Sequence, residues 1–172
     1  MLVKEYIREI QDFPSVGITY RDITPLIRDP EVFRYAIDTL YFRTKEWAAD
    51  LVVGIEPRGC IVAAPLAIKL GIGLATAKKR SGDHPMMVDG TEYALEMGTD
   101  NIAMLRGSIK PGDRVIIADD ILATGVTAKA TADLVEDRGG KVLGFVFLAD
   151  INFYDGEKLL EEIAQVIHVY DC

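Results

Sequence analysis

The chain predicts an α/β protein built on a parallel sheet, and three stretches of its 172 residues carry that prediction. Residues 50–56 (DLVVGIE), 115–120 (VIIADD) and 141–150 (KVLGFVFLAD) are short apolar runs bounded by turn formers, the pattern of fully buried strands. The first two each lead through a turn into a segment of small and apolar residues at helical spacing, residues 60–70 and 128–138. Strands alternating with helices in this way give parallel strands joined by right-handed crossovers.

Length permits one domain with a full core and is too short for two ordinary ones, so a single unit over 1–172 is expected, with 1–30 as an arm and 31–172 as the α/β core. Hydrophobic residues at 49% and charged residues at 27% exclude a disordered chain. A net charge of −8 argues against a nucleic-acid partner, which needs a basic face, yet a local cluster of cations can still hold a small anion. Cys60 sits in an apolar stretch and Cys172 is the last residue, neither forming a disulfide framework or zinc pattern. With no signal-like start and no apolar run of membrane-spanning length, the expectation is a soluble cytoplasmic protein with no membrane partner.

Residues 3–11 place Tyr6, Ile7 and Ile10 on one side, predicting a short amphipathic helix. Residues 12–30 contain three prolines and a glycine, so no single regular element fits them. Asp29-Pro30-Glu31 reads as a helix start, and the helix should run to about Ala49, burying Phe33, Ile37, Leu40 and Trp47. The strand at 50–56 then turns at Pro57-Arg58-Gly59. A second strand at 73–77 ends at Lys78-Lys79-Arg80, three consecutive cations that form a candidate anion site or a solvated loop. Residues 81–98 are rich in turn formers and long for a plain connection, which suggests a lid. His84 in that loop is a weak candidate for a general acid, and an exposed loop histidine is the plainer reading. A helix over 155–164 and an edge strand over 165–170 close the chain, with His168 structural.

The stretch 115–127 (VIIADDILATGVT) carries the chemistry. Its strand ends in Asp119 and Asp120, and a loop of small residues, Ala123-Thr124-Gly125-Val126-Thr127, leads into the helix. Ligands of open α/β sheets bind beyond the carboxyl ends of strands, where this loop must lie. Small residues let backbone N–H groups approach a phosphate, and the helix start adds its positive dipole end. The carboxylates would repel that phosphate, so they suit sugar hydroxyls or a bound cation. Gly54-x₄-Gly59 superficially fits a P-loop, but Cys60 stands where its lysine must be, and Gly71-x-Gly73 lacks the third glycine of a dinucleotide fingerprint.

Paired acidic residues followed by Ala-Thr-Gly-x-Thr resemble the phosphoribosyl pyrophosphate loop of the type I phosphoribosyltransferases. Residues 12–30, with Phe-Pro-x-x-Gly and then Arg-Asp-Ile-x-Pro, resemble the N-terminal segment of the adenine-specific branch. The resemblance covers roughly residues 8–150 and implies the type I fold, a small N-terminal hood over the base and a flexible catalytic loop at about 81–98. It implies transfer of a 5-phosphoribosyl group to N9 of adenine with release of pyrophosphate, a purine-salvage reaction that yields AMP. Mg²⁺ would be held mainly by the substrate, with no dedicated protein ligands, and a homodimer is implied. Site residues carry over as follows. Asp119, Asp120 and residues Ala123, Thr124, Gly125, Val126 and Thr127 would hold ribose and 5′-phosphate. Glu56, Pro57, Arg58, Lys78 and Lys79 would face pyrophosphate, and Thr19, Tyr20 and Arg21 the purine. Glu96, in Tyr93-Ala94-Leu95-Glu96-Met97-Gly98, matches the residue that manages the purine proton, so Glu96, Asp119 and Asp120 are the catalytic candidates. In that family the peptide after the acidic residue is cis; here it precedes Pro57, so Glu56–Pro57 is predicted cis. A surface ion pair of Arg58 with Glu56 is the competing reading. Three departures, Pro57, Cys60 and Met97, keep hypoxanthine, guanine or xanthine open as the base. A non-catalytic phosphoribosyl pyrophosphate sensor is a further alternative, but it would want a DNA-binding segment that this chain does not show.

Overall fold

The computed structural model describes residues 3–79, 91–95 and 98–171, with side chains described over 5–78 and 101–171. Its centre is a sheet in the order β10-β9-β7-β3-β4-β6-β5. The parallel strands are β3 (Leu51–Ile55), β4 (Gly73–Lys79), β7 (Arg114–Ala118), β9 (Lys141–Asp150) and β10 (Gln165–Asp171). Side chains alternate across it: Val53, Ile55, Val115, Ile117, Phe145 and Phe147 face one layer. Val52, Ile116, Val146 and Leu148 face the other. A strand buried on both faces must be apolar at nearly every position, which is why these segments read as continuous runs. Helices α2 (Pro30–Thr44) and α3 (Gly59–Leu70) cover the second face through Ile37, Leu40, Val62 and Leu66. Helices α4 (Val126–Glu136) and α5 (Gly156–Glu161) cover the first through Leu134, Val135 and Leu160.

The crossovers run in opposite directions from the middle of the sheet. From β3 the chain passes through α3 to β4 on one side, and from β7 it passes through α4 to β9 on the other. The carboxyl ends of β3 and β7, paired from Leu51↔Val115 to Gly54↔Ala118, therefore flank the crevice where strand order reverses. At the opposite end Arg114 fixes this register, its Nε and Nη2 each donating to Asp50 at 2.9 Å. Asp29 caps α2 by accepting from the Glu31 and Val32 N–H groups, as the Asp-Pro-Glu signal implied.

Several expected elements change. Residues 3–11 form a 3₁₀ turn (Val3–Tyr6) and strand β1 (Arg8–Ile10) in place of a helix. A nine-residue helix has little intrinsic stability, whereas β1 pairs with β2 (Tyr20–Asp22), and Arg8 Nη2 lies 2.8 Å from Asp22 Oδ2. A short helix, α1 (Thr24–Arg28), follows within the proline-rich arm. Helix α2 stops at Thr44 and a 3₁₀ turn, Lys45–Trp47, completes the segment, leaving Phe33 and Trp47 half-buried. The cations expected after β4 partly belong to it, since the strand runs through Lys79. The long loop is not structureless throughout: β5 (Thr91–Leu95) and β6 (Gly98–Met104) make an antiparallel hairpin, and β6 pairs with β4. The sheet is therefore parallel in its body and antiparallel at that edge. A two-residue strand, β8 (Ile121–Leu122), pairs with the end of β9. Helix α4 begins at Val126, not Ala128, so the last two residues of the small loop form its first turn. Helix α5 is shorter than expected, as Gly156–Glu161. Among the described residues no helix is long and apolar enough to cross a membrane.

Candidate active site

Two strand ends and the beginning of a helix meet at the crevice. Asp119 and Asp120 leave β7 in a sharp turn, with the Asp120 N–H donating to Asp119 Oδ1 at 2.8 Å. Asp120 is 3% exposed and Asp119 is half-buried. Burial, and after it the charge of Asp120, pushes the Asp119 carboxyl well above the usual carboxylate range. Burial also raises Asp120, but the Arg58 guanidinium opposes that shift. Two carboxylates this close to the interior cost free energy when ionised, and a fold keeps such a pair where its charge is used.

Arg58 reaches this pair from the turn after β3. Its Nε lies 2.8 Å from Asp120 Oδ2. That contact is an ion pair by distance but is not aligned as a hydrogen bond, so Oδ2 keeps lone-pair capacity for another donor. Nη1 donates to the Tyr20 hydroxyl at 2.8 Å and to the Arg21 carbonyl at 3.3 Å, and the guanidinium stands 5.2 Å from the Tyr20 ring centroid. Arg58 thus links the core to the N-terminal arm; the competing reading, a surface ion pair with Glu56, gives way to a pairing with Asp120. Glu56–Pro57 is cis, as expected, and Phe13–Pro14 is cis as well. The Glu56 N–H donates to the Ala77 carbonyl at 2.7 Å, which sets this turn beside Lys78. Lys78 is half-buried on β4; Lys79 is placed by its backbone alone, opposite Ile102. The start of α3 closes on the same place, because a Cβ at Gly59 would meet the Ala118 carbonyl at 2.6 Å and Asp119 Oδ1 at 2.9 Å. Cys60 follows; burial, and then the charges of Glu56 and Asp119, push its thiol up, so it is no nucleophile at neutral pH.

The small loop wraps a cleft lined by Asp119, Ala123, Thr124, Gly125, Thr127 and Phe147. Gly125 adopts φ +75°, a left-handed conformation that directs the chain into α4, and no side chain caps the helix start. The first-turn N–H groups of α4 accordingly point into the cleft with the dipole behind them. Phe147 on β9 was not anticipated as a lining residue, since an aromatic in a buried run gives no sign of which end it occupies. The support beneath the loop was equally hidden: Gly156 of α5 lies so close that a Cβ there would strike the Ala123 carbonyl.

In the arm, Tyr20 and Arg21 are half-buried on β2 and Thr19 precedes them. Arg21 folds back, Nη1 donating to the Thr19 carbonyl and Nη2 to Glu9, both at 3.1 Å. Glu96, Met97 and His84 lie outside the described residues, as do Arg80 and the rest of 81–90.

Residues 28–170 match the profile of the phosphoribosyl transferase domain. The chain is 47% identical over 161 residues to an adenine phosphoribosyltransferase of Synechococcus sp. (strain JA-3-3Ab), covering 93% of this chain and 91% of that one. It is 44% identical to the enzyme of that name from Maridesulfovibrio salexigens over 95% of each chain. Among solved structures, the adenine phosphoribosyltransferase of Rhodothermus marinus superposes with a TM-score of 0.92 at 41% identity, covering 99% and 96% of the two chains. That of Saccharomyces cerevisiae, complexed with an imino-altritol bisphosphate and adenine, gives 0.88 at 31% identity over 97% and 96%. With its paired carboxylates, small phosphate-type loop and reversed strand order, the chain belongs to the adenine phosphoribosyltransferase family of the type I phosphoribosyltransferases.

Proposed function

We propose that this enzyme transfers the 5-phosphoribosyl group of phosphoribosyl pyrophosphate to N9 of adenine, giving AMP and pyrophosphate in purine salvage. The observation that carries this reading is the buried Asp119–Asp120 pair set between Arg58 and the loop that opens α4. Its relatives of that name, at 44–47% identity over nearly the whole chain, support adenine as the base. In the reaction the bond from C1 of the ribose to the diphosphate oxygen breaks, the bond from C1 to N9 forms, and the purine gives up a proton.

Backbone N–H groups of Ala123, Thr124, Gly125, Val126 and Thr127 hold the 5′-phosphate against the dipole of α4. Asp119 and Asp120 accept from the ribose hydroxyls, and their buried charge favours positive charge developing at C1. Arg58, Lys78, Lys79 and the Glu56–Pro57 turn receive the departing diphosphate. No bond from Arg58 Nη2 is found among the described residues, which leaves its two N–H groups suited to an oxyanion. Thr19, Tyr20 and Arg21 hold the purine, and Glu96 takes up its proton.

The residues present fit Mg²⁺: carboxylate oxygens at the ribose side, with Asp120 Oδ2 free of any aligned hydrogen bond, suit a hard cation that keeps most of its waters. Held there, such an ion would offset the negative charge of the diphosphate. The reading includes a homodimer working in the cytoplasm, which sedimentation and fractionation test.

Product formation from phosphoribosyl pyrophosphate and Mg²⁺, with adenine, hypoxanthine, guanine and xanthine in parallel, decides the substrate. Adenine alone is expected to turn over. Preference for an oxopurine would overturn the base assignment, and tight binding without turnover of any base would overturn the enzyme assignment.

A further inference from the structure

Where α5 packs on β9 and β10, beside the small loop, lies a group of side chains to which the proposed mechanism gives no role. Asp150 ends β9, Glu157 lies in the first turn of α5, and His168 lies on β10. One ligand-capable atom from each falls within 4.8 Å of the others. Acidic residues near a histidine are common on surfaces; these are not surface residues alone. Asp150 is 1% exposed, and its Oδ1 and His168 Nδ1 are buried with no hydrogen-bond partner among the described residues. A polar atom buried without a partner costs free energy unless something completes it.

The imidazole is already oriented. Its Nε2 lies 2.9 Å from Asp171 Oδ1, which draws the ring proton to that side and leaves the Nδ1 lone pair facing inward. Nδ1 stands 3.8 Å from Glu157 Oε1. That is too long for a hydrogen bond, yet near the separation of roughly 3.4 Å between two ligands held about 2.1 Å from a tetrahedral ion. A carboxylate on one ring nitrogen with the other nitrogen left for coordination is the arrangement that aligns metal-bound histidines. Charge points the same way, because three carboxylates, Asp150, Glu157 and Asp171, surround one imidazole. Burial raises the Asp150 carboxyl, His168 opposes this, and Glu157 and Asp171 raise it further. The neighbouring cations are engaged elsewhere: Lys158 pairs with Asp155 at 2.6 Å, and Arg43 of α2 donates to the His168 carbonyl at 3.1 Å.

We propose that Asp150, Glu157 and His168 form a binding site for a divalent cation of the zinc class, which ties α5 to the β9–β10 side of the sheet. One imidazole with carboxylates suits Zn²⁺ or Co²⁺ better than Mg²⁺, which takes oxygen ligands and demands octahedral geometry. The site is separate from any ion carried by substrate diphosphate.

The test uses the full chain, stripped with chelator, titrated with Zn²⁺ by calorimetry and with Co²⁺ by visible absorption. One cation per chain is expected, with a raised Tm and Co²⁺ d–d bands lacking the near-ultraviolet band of a thiolate ligand. His168→Ala should weaken binding at least about tenfold and remove the Tm shift. Glu157→Gln, a half-exposed change that spares the core, should do the same, and Asp171→Asn should weaken binding by about tenfold through the freed ring. Unchanged affinity in both His168→Ala and Glu157→Gln overturns the proposal. So does the absence of saturable binding by the parent protein, or a thiolate band that Cys60→Ser abolishes. None of these readings depends on turnover, so they stand apart from the outcome of the transferase assay.

Discussion

Asp119 is a residue whose charge the fold opposes. Its carboxyl titrates well above an unfolded aspartate because burial and Asp120 disfavour the anion. Below the unfolded pKa of about 4 both states hold the proton and the site carries no penalty. As pH rises from there, through the raised folded value, the unfolded chain releases its proton first and stability falls. Asp119→Asn removes that loss while still accepting the Asp120 N–H. Its Tm should exceed that of the parent at pH 7, with the gap closing on acidification toward about pH 4. An equal or lower Tm at pH 7 would mean that burial does not strain this group. Activity should move the other way, the Asp119→Asn, Asp120→Asn double variant losing at least about 100-fold in kcat/KM. The acidic pair was legible in the sequence because it interrupts an apolar strand at its end. The partner of Arg58 was not: Glu56 is two residues away in the chain, whereas Asp120 is brought close only by the pairing of β3 with β7.

At the scale of elements, the small loop proposed to hold the 5′-phosphate is a surface shaped by α5 as much as by its own residues. Gly125 needs its positive φ, and a Cβ there would sit 2.9 Å from the Gly156 carbonyl. Gly156 in turn admits no side chain beneath Ala123. Gly125→Ala should therefore cost about 1–3 kcal/mol in stability and raise the KM for phosphoribosyl pyrophosphate. Gly156→Ala should raise the same KM although it touches no substrate, because the loop above it must shift. Steady-state kinetics with the base saturating would show it, and an unchanged KM in both variants would detach the loop from α5. The glycine at the start of α4 could be read from the motif, but the one in α5 could not. Nothing local to Asp155-Gly156-Glu157 signals what lies above it. Helix and strand types in the core followed from apolar period and turn residues. The N-terminal segment and the 91–104 hairpin did not, since short polar strands owe their existence to a partner edge and not to their own pattern.

Across the whole molecule, one sheet separates two apolar layers, and β3, β7, β9 and β10 contribute to both. Leu66 on α3 and Leu134 on α4 lie on opposite faces, 0% and 1% exposed. Each change to Ala should cost about 2–5 kcal/mol, and both should shift a single unfolding transition, because neither layer can survive loss of the strands they share. Two resolved transitions in denaturant would mean that the layers melt apart. The layered architecture was readable because double-sided burial leaves strands apolar throughout; which strand neighbours which was left to topology. That topology makes Arg58 common to two regions: it is ion-paired with Asp120 at the crevice and donates to Tyr20 in the arm, which under the proposed roles are the ribose and base regions. A guanidinium shared in this way couples the regions thermodynamically. Under those roles, a ligand that redirects Arg58 on one side should change the affinity of the other side, by the same factor whichever ligand arrives first.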